Sequence, residues 1–367
     1  MKIAHVVTLV TPTGDFGGPV RVAVNLAKAQ SAQGHEVTLL GTYAGYSAPP
    51  RDIEGVPAVL FPARQIHHRL GFAGMISPSL LLHLVRSSKA YDALHIHMTR
   101  DLVTLPTALL AALNRTAFVV QTHGMIDKTA SRMAQAIDAF ATRFVLRRAR
   151  RVFFLNSIEH DALRDAFPTL NMRLQRLNNG VPRSDLRANV RECSEILFLA
   201  RLHQRKRPLA FVQAANELVN EFPSVRFTLV GPDGGEGKRV LTAIEGGGAD
   251  QITWEGPLAS SQTLERMAKA SIYVLPSIDE PFPMSVLEAM SVGLPCVVTD
   301  TCGLVGNLPT NDSLAVVDDS IGALVKRLRR LIEDDRERGR LAEAAIADAE
   351  QMNIDHIATE VLRCYNS

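Results

Sequence analysis

The chain has 367 residues, too many for one ordinary hydrophobic core and suited to two domains of roughly 150–200 residues each. Its 46% hydrophobic and 21% charged content is that of an ordinary globular protein. A formal net charge of +2 is too small to argue for a nucleic-acid partner, so an electrostatic partner must come from local clustering.

The opening apolar run is too short for a signal peptide and reads as a buried strand over residues 2–8. Further short apolar, β-branched runs predict strands at 36–40, 58–61, 93–97, 117–121 and 151–156, with a helix over 21–33. The run at 79–85 falls far short of the ~20 residues that span a bilayer. Asn178-Asn179-Gly180 marks a turn, and the polar stretch 184–194 is the candidate linker. The pattern then restarts, with strands at 195–200, 225–230, 252–255, 272–275 and 295–299 and helices opening near Pro208, Gln262 and Met284. Residues 321–352 form a charge-rich helical stretch and 354–364 a short amphipathic helix. Strand–helix alternation in both halves predicts an α/β chain of two doubly wound domains with a cleft between them. Ligands of such sheets sit at the carboxyl ends of strands.

Cys193, Cys296, Cys302 and Cys364 are scattered, without a CxxC pair or a His/Cys run at zinc spacing. A reduced, cytoplasmic protein without a structural metal is expected.

The most informative motif is the segment 276–295, PSIDEPFPMSVLEAMSVGLP. It follows a strand and enters a helix, so Met284 and Ser285 would offer backbone N–H groups at a helix N-terminus, a ready anion site. Glu280 stands before that helix and Glu288 about one turn inside it, spaced to hold two parts of one ligand. Taken alone, the pair reads equally well as a solvated loop charge and a helix-surface acid. Arg201 ends a strand and Lys206 opens the next helix, a pairing that suits a diphosphate: bidentate hydrogen bonds from one, a point charge from the other. A solvated basic turn is the competing reading. Gly14, Gly17 and Gly18 lie in the first loop, where a bare backbone can approach a phosphate or sugar.

Two nucleotide motifs are absent. No G-x-G-x-x-G fits the first loop, and no acid closes the second strand, which disfavours a nicotinamide dehydrogenase. The stretch 231–238 imitates a P-loop, but Pro232 replaces the first glycine and Arg239 the Ser/Thr; it reads as a glycine-rich turn.

His95 and His97 share one side of their strand, and His123 follows the next, where it can donate to a sugar hydroxyl or a leaving oxygen. His95 reads better as structural, and His97 equally as either. His67 and His68 have no third ligand at metal spacing. Asn156 with Glu159 reads as a structural helix N-cap. Arg143, Arg147 and Arg150 share a helical face that suits anionic lipid headgroups or a polyprenyl diphosphate, or is a solvated charged face.

Together these segments resemble the retaining glycosyltransferases of family 4, over nearly the whole chain. The Gly17-Gly18-Pro19 loop, the HGMID run from His123, Asn178-Asn179-Gly180-Val181, Arg201 to Lys206 and the E-x₇-E segment running on to Pro295 carry the likeness. The resemblance implies the GT-B fold: two Rossmann-like domains, 1–183 on the acceptor side and 184–348 for the nucleotide sugar, facing a central cleft. A terminal helix in 349–367 would return to the first domain. It implies that Glu280 contacts the transferred sugar and Glu288 the ribose hydroxyls. Arg201, Lys206 and the amides of Met284 and Ser285 would bind the diphosphate. Gly17 and Gly18 would face the donor phosphate and His123 the sugar. The expected reaction moves a hexose-type sugar from a UDP- or GDP-linked donor to an acceptor hydroxyl with retention, without a metal or other cofactor. Domain closure over the donor, hinged at the polar linker, accompanies it. The acceptor is left open among a lipid-linked saccharide of surface polysaccharide or glycolipid synthesis, a small metabolite and a protein; the lipid-linked case implies peripheral contact with the inner face of the membrane. Pro283 stands where the family usually has glycine, and residues 301–306 lack its Gly-Gly and acidic residue. A sugar-nucleotide epimerase or phosphorylase of the same fold, and a non-catalytic sugar-nucleotide-binding protein, are the alternatives.

Overall fold

The structure, a computed structural model, describes residues 1–12, 17–66, 73–129, 131–248, 250–310 and 312–366. The chain forms two compact units, Met1–Gly180 with Ile354–Ser367, and Val181–Asn353.

The first unit is built on strands β1 (Lys2–Val10), β2 (Glu36–Tyr43), β3 (Asp52–Ile53) and β4 (Val56–Pro62). A two-stranded antiparallel pair follows, β5 (Arg64–Gln65) with β6 (Met75–Ile76), then β7 (Ala93–His97), β8 (Phe118–Gln121), β9 (Val152–Phe154) and β10 (Leu174–Arg176). The main sheet runs β10-β9-β8-β7-β1-β2-β4-β3 and is parallel except for the β3–β4 pair. Its two faces divide the residues of β1 by parity. Ala4 and Val6 join Leu94, Ile96, Val120, Leu80, Leu84 and Ala108 in one core, so the helices Pro78–Ser87 and Thr104–Leu113 cover that face. The opposite face lies against the helices Gly17–Ala32 and Ile354–Asn366, which pack on each other. The strand order turns between β1 and β7, so the loops after β1, β7 and β8 gather at one end.

In the second unit β11 (Glu195–Leu199), β12 (Arg226–Val230), β13 (Ile252–Trp254), β14 (Ile272–Leu275), β15 (Cys296–Thr299) and β16 (Leu314–Val317) form one parallel sheet, ordered β13-β12-β11-β14-β15-β16. From β11 the chain winds outward first one way and then the other. The switch point lies between β11 and β14, whose carboxyl ends carry Arg201 to Lys206 and Pro276 to Glu280.

The expected strands form within a few residues of their expected bounds. Those without a sequence expectation are β3, β5, β6, β10 and β16, too short or too exposed at one face to show a period. The helical stretch 321–352 is two helices, Ile321–Glu333 and Asp335–Gln351, because Asp334 leaves the helical region at φ −109° and ψ 94° and caps the second by accepting from Glu337 N. The candidate linker is corrected: residues 184–194 belong to the second unit. Ala188 N donates to the Val292 carbonyl at 2.8 Å, and the buried Arg338 guanidinium donates to the carbonyls of Val190 and Arg191 at 2.8 and 2.6 Å. The chain instead passes between units at Gly180–Val181 and Asn353–Ile354. Gly180 is tight there, since a Cβ would lie 2.7 Å from Ile354 Cα.

Among the described residues no helix is long and apolar enough to cross a membrane.

Candidate functional site

In the second unit the site starts at the end of β11. Gly231, at φ +144°, lets the end of β12 close on Ala200; any Cβ would run into the Ala200 carbonyl. Gly234 lies against the stem of Arg201, where a Cβ would come within 2.7 Å of Arg201 Cγ. The turn 231–237 is therefore the wall that seats Arg201. It is held by Leu202 N to the Pro232 carbonyl at 2.9 Å and by Asp233, whose Oδ1 accepts from Gly235 N and Gly237 N at 2.8 Å each. Sequence reading placed no function on it, although two glycines directly after a strand were the visible sign. Beyond Arg201 a short 3₁₀ turn, Gln204–Lys206, is capped by His203, and Arg207 at φ 54° turns the chain into the helix Pro208–Leu218.

The loop after β14 meets that turn. Lys206 Nζ is 2.6 Å from Glu280 Oε2, with both side chains largely buried, while the Arg205 guanidinium donates to the Asp279 carbonyl. Asp279 sits at φ 51°, its N–H donated to Thr301 Oγ1 at 3.1 Å. The Glu280 carbonyl accepts from Gly303 N at 2.8 Å. Beneath the loop the Tyr273 hydroxyl is 2.8 Å from Ser285 Oγ and 2.9 Å from the Leu199 carbonyl, tying β14, β11 and the helix Met284–Ser291 together. Burial pushes the Tyr273 hydroxyl well above its ordinary pKa, and the Glu288 and Glu280 carboxylates push the same way. Both acids thus act on one buried hydroxyl. Glu288 is 6% exposed, far from the solvated helix-surface acid of the alternative reading.

Pro283 is the N-cap of that helix, at φ −74° and ψ 104°. Proline's fixed φ suits the position, and its missing N–H lies outside the first turn. The amides of Met284 and Ser285 are first-turn donors with no intrahelical acceptor. Arg201, Lys206, Glu280, Met284, Ser285 and Glu288 all belong to the strand ends flanking the switch point and the helix that follows.

Gly17, Gly18 and His123 belong to the first unit. Gly17 opens the helix Gly17–Ala32, and a Cβ on Gly18 would meet nothing within 4 Å, so its backbone is open to approach. Gly14, His67 and His68 lie outside the described residues. His123 adopts φ 52° just past β8, with Gly124 at φ 70°. Glu159 holds this turn: its carboxylate accepts from Thr122 Oγ1 and Gly124 N at 2.5 Å each and from Leu155 N at 2.7 Å, while Asn156 Oδ1 accepts from Glu159 N at 2.9 Å. The cap expected at Asn156 forms, but its acid reaches out to the His123 turn. Burial raises the Glu159 pKa against the lowering effect of these donors. Glu159→Ala, which strips three donors of their acceptor, is expected to cost about 2–4 kcal/mol of unfolding free energy in a urea titration.

The expected shared face of Arg143, Arg147 and Arg150 is corrected. The helix ends at Arg148, where Ala149 leaves the helical region at ψ 137°, so Arg150 departs from the face that Arg143 and Arg147 keep and donates to the Tyr365 carbonyl; Arg143 donates to Thr169 Oγ1 at 2.8 Å. Arg147 is exposed, as is Arg148, which lies 5.0 Å over the Phe144 ring.

Two family models match the two halves: "Glycosyl transferase 4-like domain" over residues 17–180 and "Glycosyl transferases group 1" over residues 189–348. The chain belongs to the group 1 glycosyltransferases. The D-inositol 3-phosphate glycosyltransferase of Thermomonospora curvata is similar to this glycosyltransferase at 26% identity, over 96% of this chain and 91% of that one. An N,N'-diacetylbacillosaminyl-diphospho-undecaprenol alpha-1,3-N-acetylgalactosaminyltransferase of Campylobacter jejuni is 31% identical over 47% of this chain and 44% of its own. Among solved structures, Anabaena Alr3699/HepE in complex with UDP and glucose superposes at a TM-score of 0.76 with 19% identity, over the full length of both chains. The sucrose-phosphate synthase of Thermosynechococcus elongatus superposes at 0.75 with 18% identity, over 100% of this chain and 98% of that one. The fold of this glycosyltransferase is GT-B.

Proposed function

We propose that this glycosyltransferase moves a hexose-type sugar from a UDP- or GDP-linked donor to an acceptor hydroxyl, with retention at the anomeric carbon. The observation that carries the reading is the Lys206–Glu280 pair at the switch point of the second sheet, directly before the uncapped helix start at Met284. The group's nucleotide chemistry needs cations and free amides beside a carboxylate, and these elements supply them. In this proposal Arg201, Lys206 and the amides of Met284 and Ser285 take the diphosphate, with the backbone at Gly17 and Gly18 facing it from the first unit. Glu288 holds the ribose hydroxyls and Glu280 the sugar.

The acceptor oxygen attacks the anomeric carbon from the leaving-group face. The C1–O bond to phosphate breaks as the acceptor O–C1 bond forms, and the acceptor proton passes to the departing phosphate oxygen. Negative charge grows on the diphosphate, where fixed cations and amides stabilise it without reorganisation. In this reading those groups do the work that a metal does elsewhere. The Campylobacter relative, named for a diphospho-undecaprenol-linked substrate, supports a lipid-linked saccharide acceptor of surface polysaccharide or glycolipid synthesis. The exposed Arg147 would then meet the anionic inner face of the membrane.

The test is a screen of UDP-, GDP-, ADP- and dTDP-sugars for thermal stabilisation and slow donor hydrolysis; if none binds, the proposal fails. Its two acids should separate. Glu288→Ala is expected to weaken nucleotide binding about tenfold or more in calorimetry, as two hydroxyl partners are lost. Glu280→Gln should leave nucleotide affinity in place and lower turnover by about 10²-fold. Unchanged nucleotide affinity in Glu288→Ala would sink the ribose assignment.

A further inference from the structure

Four histidines, His5, His95, His97 and His123, run from the middle of the first sheet to its carboxyl end and form more than a cluster. Parallel register sets His5 opposite His95 and His97 opposite Gln121, so all four side chains share the face toward the helices Gly17–Ala32 and Ile354–Asn366. Seven hydrogen bonds then run in single file: His123 Nε2 to His97 Nδ1 (2.8 Å), His97 Nε2 to His5 Nδ1 (3.1 Å), His5 Nε2 to Gln30 Oε1 (2.8 Å), Gln30 Nε2 to Tyr365 Oη (3.2 Å), Tyr365 Oη to His95 Nδ1 (2.9 Å), His95 Nε2 to Gln121 Oε1 (3.1 Å) and Gln121 Nε2 to Asn179 Oδ1 (3.0 Å). The rings stack at centroid distances of 4.6–5.4 Å.

A neutral imidazole has one N–H and one lone pair, so each ring that accepts at one nitrogen must donate at the other. A single file of such groups has two proton orders, one the reverse of the other. The amides choose between them. Gln30 presents its oxygen to His5 and its nitrogen to Tyr365; Gln121 presents its oxygen to His95 and its nitrogen to Asn179, which accepts through its oxygen. All three amides agree on one direction, with every donor pointing away from His123. Aligned bonds of this kind polarise one another. The chain is dry except at its start: His123 is 9% exposed, the other members 3% or less.

We infer that His97, backed by His5 and Gln30, is a positioning residue that locks His123 as its Nε2–H tautomer and leaves Nδ1 as a lone-pair acceptor at the mouth of the first sheet, for a hydroxyl of the donor sugar. The inference rests on the nucleotide-sugar reading for its ligand, and it reverses the donor role expected of His123 from sequence. Burial supports it by depressing the pKa of His123 to about 3 and of His5 to about 4, so neutral rings prevail near pH 7. Burial also raises the Tyr365 hydroxyl well above its ordinary range, keeping its proton for His95. A neutral His123 without an Nδ1 proton is no acid for the departing phosphate; it recognises a hydroxyl.

Long-range ¹H–¹⁵N correlation on the full chain labelled at histidine reads the tautomers without any substrate. The expected spectrum shows His5, His95, His97 and His123 each with a pyrrole-like Nε2 and a pyridine-like Nδ1 at neutral pH. A protonated Nδ1 on His123 overturns the inference and leaves the glycosyltransferase reading intact. A second measurement compares His97→Phe, which fits the stack but offers no acceptor, with His97→Gln, which can accept from His123 and donate to His5. His97→Phe is expected to mix the His123 tautomers and slow donor hydrolysis on the order of tenfold with UDP affinity unchanged, and His97→Gln to recover most of that loss. Equal losses in two folded variants would refute the positioning role.

Discussion

Acidification from pH 7 to pH 5 is expected to remove most of the protein's stability. His5, His95, His97 and His123 are all buried without charge, with pKa values depressed by burial to about 4 for His5 and about 3 for His123 and well below the ordinary value for the other two. Unfolded, each titrates near ~6.5. Below that pH the unfolded chain takes up protons that the folded chain refuses, so the stability is fully present above the unfolded value and is lost as pH falls toward the folded ones. Four groups at ~1.36 kcal/mol per unit each make a slope of about 5 kcal/mol per pH unit, against total stabilities of about 5–15 kcal/mol. Glu159 opposes the trend: its raised pKa means the folded state keeps a proton that the unfolded state releases above ~4.5. One carboxyl does not offset four imidazoles. Urea midpoints at pH 7.5, 6.0 and 5.0 should fall steeply, and a flat profile would contradict neutral burial of the cluster.

Gly303→Ala is expected to disable the second unit's site while leaving its sheet folded. The glycine N–H holds the Glu280 carbonyl at 2.8 Å, and an added Cβ would run into the Pro281 carbonyl with Glu280 O only 3.0 Å away. Both obstacles are backbone, so the loop itself must move and carry Glu280 away from Lys206. Misplacement of about 1 Å at a reacting centre costs about 10²-fold in rate, and overpacking about 1–3 kcal/mol in stability. The check is donor hydrolysis beside a urea titration: a fall in turnover of ~10²-fold with a folded protein is the expected result. Wild-type turnover would show that the 301–306 turn does not support Glu280.

These two predictions draw on features of different legibility. The acids at 280 and 288 stood out as a motif between a strand and a helix, as did Arg201 and Lys206 between the second domain's first strand and its helix. Tyr273 did not, being one aromatic in an apolar strand, yet its hydroxyl joins β11 to the helix, and both carboxylates push its pKa upward. Gly231 and Gly234 were visible only as a failed P-loop; the adjacency of β12 to β11 turns them into the seat of Arg201. Gln30 and Tyr365 lie 335 positions apart and carried no motif at all. Arg150 was misread as sharing the face of Arg143 and Arg147 because no glycine or proline marks the helix end at Arg148.

By itself the sequence determined that both halves are wound α/β sheets, since period and turn chemistry are local properties. It also determined which loops bear acids, cations and bare backbone at strand ends, and the family to which those motifs belong. Tertiary structure alone decided which strands neighbour one another. That choice put Arg201 and Glu280 on either side of a switch point and lined four histidines into one directed file. Strand order and register are set by burial summed over whole faces, and no single segment encodes that sum.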